Sequence, residues 1–243
     1  MARVRVDVLL ARKGLAESRE KAKILVMAGA VYLGGERVSR PDRVLDEDAP
    51  IEVRTNPLAY VGYGGVKLER VIREFGIDLG GKIALDIGSS TGGFVDCLLQ
   101  SGASRVYAVD VGTHQLHEKL RADRRVVVLE RVNARHLTPG KIGEKADIVT
   151  VDVSFISLKK IIPATIPLLS EKGLLVTLVK PQFEVGRYEV GKGGIVKDEA
   201  RIRAVLEDMG RFGEEYGMRV AGVVEAPRER ERKNREYFIV WER

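Results

Sequence analysis

The chain has 243 residues, 44% hydrophobic and 31% charged, with a formal net charge of +6. This is the balance of a globular protein, and it excludes a disordered or fibrous chain. The longest apolar runs fall far short of the ~20 residues that span a bilayer, and three histidines with one cysteine offer neither a metal cluster nor an internal disulfide.

The lone Cys97 fits a reducing, cytoplasmic setting. Met1 to Asp7 carries no signal-peptide core. Charge is uneven along the chain. Residues 1–43 hold ten Lys/Arg against five Asp/Glu, a net of +5, and Asp46, Glu47, Asp48 and Glu52 follow at once. A basic end suits a polyanion, most often nucleic acid. An ion-pair-rich surface explains the same composition equally well.

In chain order, residues 5–13 read as a short helix with Val6, Leu9 and Leu10 on one side, stopped by Gly14. Ser18 reads as the N-cap of a second helix that carries Ala22, Leu25 and Val26 and ends at Gly29. Val31 to Leu33, a Gly34-Gly35 turn and Glu36 to Val38 read as a hairpin. Ile51 to Val53 closes a module of residues 1–55. Residues 56–65, with Asn56-Pro57, Gly62, Gly64 and Gly65, read as a joint. The remainder, 66–243, alternates strand and helix patterns. Strands are predicted at Ile83–Ile87, Val106–Val111, Val126–Glu130, Ile148–Val153, Leu174–Val179, Val220–Glu225 and Tyr237–Trp241, with a helix from Asp198 to Tyr216. Alternation of this kind predicts an α/β fold with a mostly parallel sheet.

The stretch Asp86-Ile87-Gly88-Ser89-Ser90-Thr91-Gly92-Gly93 runs from a strand through small residues into a helix. Glycines admit a ligand close to the backbone, and a helix start offers free N–H groups. The next strand ends in Asp110, placed to meet the hydroxyls of a ribose. The spacing departs from the dinucleotide pattern G-x-G-x-x-G. Asp86 would repel a pyrophosphate but suits a cation such as S-adenosylmethionine. Taken alone, the glycines are as well explained by a tight turn. Together with Asp86 and Asp110 they point to a methyl-donor pocket made by Asp86, Gly88, Ser89, Ser90, Thr91, Gly92 and Asp110. Asn133 reads as an adenine contact or as a turn asparagine.

Asp152 and Lys180 end the fourth and fifth predicted strands, Glu236 opens the last, and Lys67 follows the glycines of the joint. Each alone reads as an ion pair at a sheet edge. Arg3, Arg5, Arg19 and Arg40 are the candidate phosphate contacts of the small module, or solvated arginines. Phe155 and Phe183 read as base-stacking or core aromatics.

Gly65-Val66-Lys67-Leu68-Glu69, DIGSSTGGF, VDVG, VDVSFISL, LVKPQFEVG and NREYF occur in the order found in the TlyA proteins. The chain resembles that family of FtsJ/RrmJ-like ribose 2′-O-methyltransferases, also named hemolysin A. Its start resembles the RNA-binding domain of ribosomal protein S-four. The resemblance implies a Rossmann-like methyltransferase domain with a seven-stranded sheet behind a small α+β RNA-binding domain. It implies S-adenosyl-L-methionine as donor, a cytidine 2′-hydroxyl of ribosomal RNA as acceptor, and ribosomal RNA or ribosomal subunits as partner. It carries the family tetrad onto Lys67, Asp152, Lys180 and Glu236, with Lys180 as base or orienter of the 2′-oxygen. Shortness at both ends tilts the expectation toward large-subunit RNA. Nothing resembles a pore, so no membrane partner is expected. Two departures stand out. Gly62-Tyr63 replaces Ser-Arg at the joint, and Pro227 to Lys233 replaces a Pro/Gly-rich loop. Rival readings are a non-catalytic RNA-binding protein with a degenerate methyltransferase fold, and a base methyltransferase. The latter lacks both an Asn/Asp-Pro-Pro-Tyr/Phe motif and a well-placed cysteine.

Overall fold

Runs of β-branched residues separated by helical patterns build a seven-stranded sheet in the second part of the chain. A computed structural model describes residues 3–27, 30–34, 36–53, 60–186, 190–191, 194–228 and 234–243. Two compact units are present, the first running through Tyr63 and the second starting at Gly64.

In the first unit, strands β1 (Arg3–Arg5), β2 (Val31–Leu33), β3 (Glu36–Arg37), β4 (Val44–Asp46) and β5 (Ile51–Val53) accompany helices Val6–Arg12 and Arg19–Met27. β1 pairs with β4, and β2 lies between β3 and β5, all antiparallel. Ser18 caps the second helix as expected, its Oγ accepting the Lys21 N–H at 3.2 Å. The expected helix end at Gly29 and the turn residue Gly35 lie outside the described residues. The core gathers Val6, Leu9, Leu10, Ala22, Leu25 and Val26 with Val31, Leu45 and Ile51. β1 and β4 escape the sequence reading because three residues, half of them charged, carry too little alternation. Asp7 is fully buried yet satisfied. Arg5 grips it with two bonds of 3.0 Å, Arg19 reaches it at 3.3 Å, and the Val8 N–H donates at 3.0 Å. Burial pushes its carboxyl up, but the bonds from Arg5 and Arg19 outweigh that and hold it below the usual range.

In the second unit the strands are β6 (Ile83–Ile87), β7 (Arg105–Val109), β8 (Val126–Leu129), β9 (Ala146–Val151), β10 (Leu169–Val179), β11 (Arg219–Glu225) and β12 (Tyr237–Glu242). Their order is β11-β12-β10-β9-β6-β7-β8. β12 alone runs antiparallel to its two neighbours, and the other described pairings of this sheet are parallel. β10 begins five residues before the predicted Leu174, because the polar Glu171-Lys172-Gly173 segment hides its start. The helix Glu199–Glu215 is capped by Asp198, which accepts the N–H groups of Ala200 and Arg201. The division between the units falls within the stretch read as a joint, whose residues 56–59 lie outside the described residues, and Gly64 and Gly65 also serve packing. A helix starts at Tyr63, and a Cβ on Gly93 would lie 3.0 Å from the Gly65 nitrogen. Small residues therefore let this helix approach the start of helix Gly93–Gln100, one turn before Lys67.

Trp241 is fully buried on β12, and its indole N–H donates to Thr177 Oγ1 at 3.0 Å. A Cβ on Gly213 would fall 2.0 Å from the Trp241 ring. Alanine gains about 1 kcal/mol over glycine in a helix, whereas forced overpacking costs about 1–3 kcal/mol. The indole is pinned by its hydrogen bond, so the overlap wins. Gly213→Ala is expected to lower stability by about 1 kcal/mol or more in urea unfolding; an increase would show that the ring moves freely.

Candidate active site

The order of the sheet reverses between β6 and β9, and ligands bind at the carboxyl ends of strands at such a point. Beyond β6 the backbone passes through Gly88 at φ +84° and Gly92 at φ +97°. A Cβ on Gly88 would meet the Asp152 carbonyl oxygen at 2.1 Å, and one on Gly92 would meet Leu120 at 2.2 Å. Conformation and space both demand glycine at these two positions. Gly88 and Ser89 donate their N–H groups to the Val109 carbonyl at 2.8 and 3.1 Å. Asp110 then accepts the Ser90 N–H at 2.8 Å and the Gly112 N–H at 2.7 Å. Its carboxylate thus fixes the glycine loop against the loop after β7, and each oxygen keeps a lone pair.

A cavity of about 140 Å³ opens here, lined by Asp86, Gly88, Ser89, Thr91, Phe94 and Asp152 among others. Asp86 is buried. One oxygen accepts the Thr150 hydroxyl at 2.6 Å, and the other has no hydrogen-bond partner among the described residues. Burial pushes its carboxyl up to about 7; the Thr150 bond opposes this, while Asp152 and Asp110 add to it. An orphaned carboxylate oxygen at the wall of a cavity suits a cation. A groove of about 300 Å³ lies at the amino ends of the strands, beside Phe75, Lys82 and Lys172, and holds none of the motif residues.

The four tetrad positions form two ion pairs. Lys180 Nζ lies 2.6 Å from Asp152 Oδ1 and donates to Ser154 Oγ at 2.9 Å. Lys67 Nζ lies 2.6 Å from Glu236 Oε2. The Asp152 N–H is tied to the Ile87 carbonyl at 2.9 Å, so this pair sits beside the glycine loop. Glu236 is aimed by its neighbours. Asn234 bonds the Val196 N–H and the Gly194 carbonyl at 2.8 and 2.7 Å. Arg235 grips Glu225 at 3.1 and 2.6 Å.

The remaining predicted residues have these surroundings. Asn133 caps a short helical turn, its Oδ1 accepting from the Arg135 N–H and Nε. Among the candidate phosphate contacts, Arg5 and Arg19 hold Asp7, Arg40 pairs with Asp42 at 2.9 Å, and Arg3 is exposed on β1. Cys97 is fully buried within helix Gly93–Gln100. Sequence reasoning misses Thr150, Ser154 and Val111. Thr150 is signalled only by its register opposite Asp86. Val111 is an apolar residue left 70% exposed next to Asp110. Phe155 takes φ +64° and is 90% exposed, its ring 5.2 Å from that of Phe183.

Residues 60–243 match the family described as FtsJ-like methyltransferase. The chain belongs to the FtsJ-like methyltransferases. Residues 4–51 match the S4 domain. This FtsJ-like chain is 50% identical over 224 residues to the Bacillus subtilis protein YqxC, covering 92% of this chain and 80% of that protein, whose name assigns it provisionally to the rRNA methyltransferases. It is 44% identical over 239 residues to a Mycobacterium tuberculosis protein named 16S/23S rRNA (cytidine-2′-O)-methyltransferase TlyA, covering 98% of this chain and 89% of that one. A solved structure from Streptococcus thermophilus that carries a hemolysin name superposes with a TM-score of 0.77 at 42% identity, over 100% of this chain and 89% of that one. No helix among the described residues is long and apolar enough to cross a membrane.

Asp86 gives the site a pH signature. Its folded value of about 7 lies above the ordinary 3.8, so the folded protein holds a proton that the unfolded chain releases between these values. Stability without a bound cation therefore falls as pH rises through that window. Asp86→Asn is expected to match the parent near pH 4 and to exceed it by up to about 4 kcal/mol at pH 8. Thermal unfolding at the two pH values checks this, and an equal difference at both would refute it.

Proposed function

We propose that this chain transfers a methyl group from S-adenosylmethionine to the 2′-hydroxyl of a cytidine in ribosomal RNA. The observation that carries the reading is the pair of lysine–carboxylate bridges beside a glycine loop whose buried Asp86 keeps one oxygen unpartnered. The relatives' names agree with it, and the S4 match supports an RNA partner. Large-subunit RNA is the first acceptor to test.

The donor supplies an electrophilic methyl on a sulfonium. Gly88 to Gly92 would hold it against the backbone, and Asp86 would face its positive charge. Asp110 would accept ribose hydroxyls through the lone pairs its backbone bonds leave free, and Val111 and Asn133 would meet the adenine. In the resting bridge Lys180 is the ammonium. Once it has released one proton to solvent, the neutral amine would orient the acceptor 2′-oxygen and take up its proton as the methyl group is transferred, and Asp152 would stabilise the ammonium that is regenerated. Lys67 stabilises charge developing on that oxygen, and Glu236 fixes Lys67. Holding the oxygen in line supplies much of the acceleration. In the small module, Arg3, Arg5, Arg19 and Arg40 would meet phosphates and set register. A guanidinium shared with a carboxylate keeps donors for a phosphate oxygen.

Incubation with radiolabelled S-adenosylmethionine and separated ribosomal subunits is expected to label RNA at a cytidine ribose. Lys180→Ala is expected to lower the rate about 10²–10⁴-fold while donor affinity stays within threefold of the parent. Donor binding without any labelling of either subunit would favour the non-catalytic reading.

A further inference from the structure

The motifs containing Asp152 and Lys180 are joined at a second place, behind the reacting groups. Glu184 sits one turn past Lys180, at the end of the short helix Pro181–Glu184. Its Oε1 accepts the Leu158 N–H at 2.8 Å, and its Oε2 accepts the Ser157 hydroxyl at 2.6 Å. Leu158 is fully buried in the main core, so this end of the loop is anchored. Lys180 grips the front of the same loop through Asp152 and Ser154. Phe155 lies between the two attachments in a left-handed conformation. Such backbone persists in a non-glycine residue only where the surroundings over-determine it.

Glu184 is an expensive residue to keep. Burial pushes its carboxyl up, and the bonds from Leu158 and Ser157 oppose that. An apolar residue at this position would avoid the cost of burial. Its two acceptors satisfy one backbone and one side-chain donor of a loop whose other end touches the reacting groups.

We infer that Glu184 is a positioning residue for methyl transfer, bracing the loop Asp152–Leu158 so that Asp152, Ser154 and Lys180 hold one geometry. This rests on the reading of Lys180 and Asp152 as the groups that face the acceptor. Glu184 spends both of its oxygens on Ser157 and Leu158 and acts through that loop. Its removal therefore lowers turnover and spares binding.

The test compares Glu184→Leu, Glu184→Gln and Ser157→Ala with Lys180→Ala in the full chain, measuring kcat and KM for RNA, donor affinity and thermal unfolding. Glu184→Leu is expected to lose roughly 10- to 100-fold in kcat, with KM for RNA and donor affinity within threefold. Glu184→Gln keeps an acceptor for Leu158 and a donor for the Ser157 oxygen, so it should recover most of the turnover. Ser157→Ala, a milder change if the leucine variant fails to fold, should lose about threefold to tenfold in kcat. Normal kcat in folded Glu184→Leu or in Ser157→Ala overturns the inference. So does a loss of donor affinity parallel to the loss of kcat. Normal activity in Lys180→Ala would instead overturn the reading of the site on which the inference rests.

Discussion

The bridge between Lys180 and Asp152 is the constraint around which this fold is arranged. Two charges stand at the carboxyl ends of adjacent core strands, where unpaired ions would be costly. At 2.6 Å they satisfy one another, and the Asp152 backbone is in turn fixed to the end of β6. The glycine at position 88 exists because the carbonyl of Asp152 occupies the space of a side chain. The glycine loop and the lysine–carboxylate bridge are thus one packed object.

The same logic orders the far side of the site. Glu236 reaches Lys67 because β12 is inserted antiparallel between β10 and β11, which brings its first residues to the mouths of the parallel strands. Lys67 arrives from the opposite end of the sequence, on a helix that can come close only because glycines face glycine. Four residues spread over 170 positions converge through one strand reversal and one close helix contact.

Much of this was legible in the sequence. Apolar runs terminated by Asp or by Lys-Pro mark the ends of β7, β9 and β10 directly. The seven strands of the large sheet were visible as β-rich runs alternating with helical patterns. The rest was hidden for physical causes. Gly64 and Gly65 read only as part of a joint, and their close contact with the helix at Gly93 has no signal in the sequence. Thr150 and Ser154 have no periodic signal and matter only through the residue opposite them. Arg5 and Arg19 read as free cations until the fold buries Asp7 between them. Asn133 had two readings, and its cap is visible only once the turn is built.

Asp86 has one more consequence. A carboxyl poised near neutrality is a proton reservoir as well as a wall of the cavity. A cation lodged beside its unpartnered oxygen draws the group toward its ionised form and sends a proton into the solvent. Ligand capture then carries a heat of buffer ionisation, and the measured enthalpy of binding shifts with the choice of buffer while the affinity at fixed pH does not.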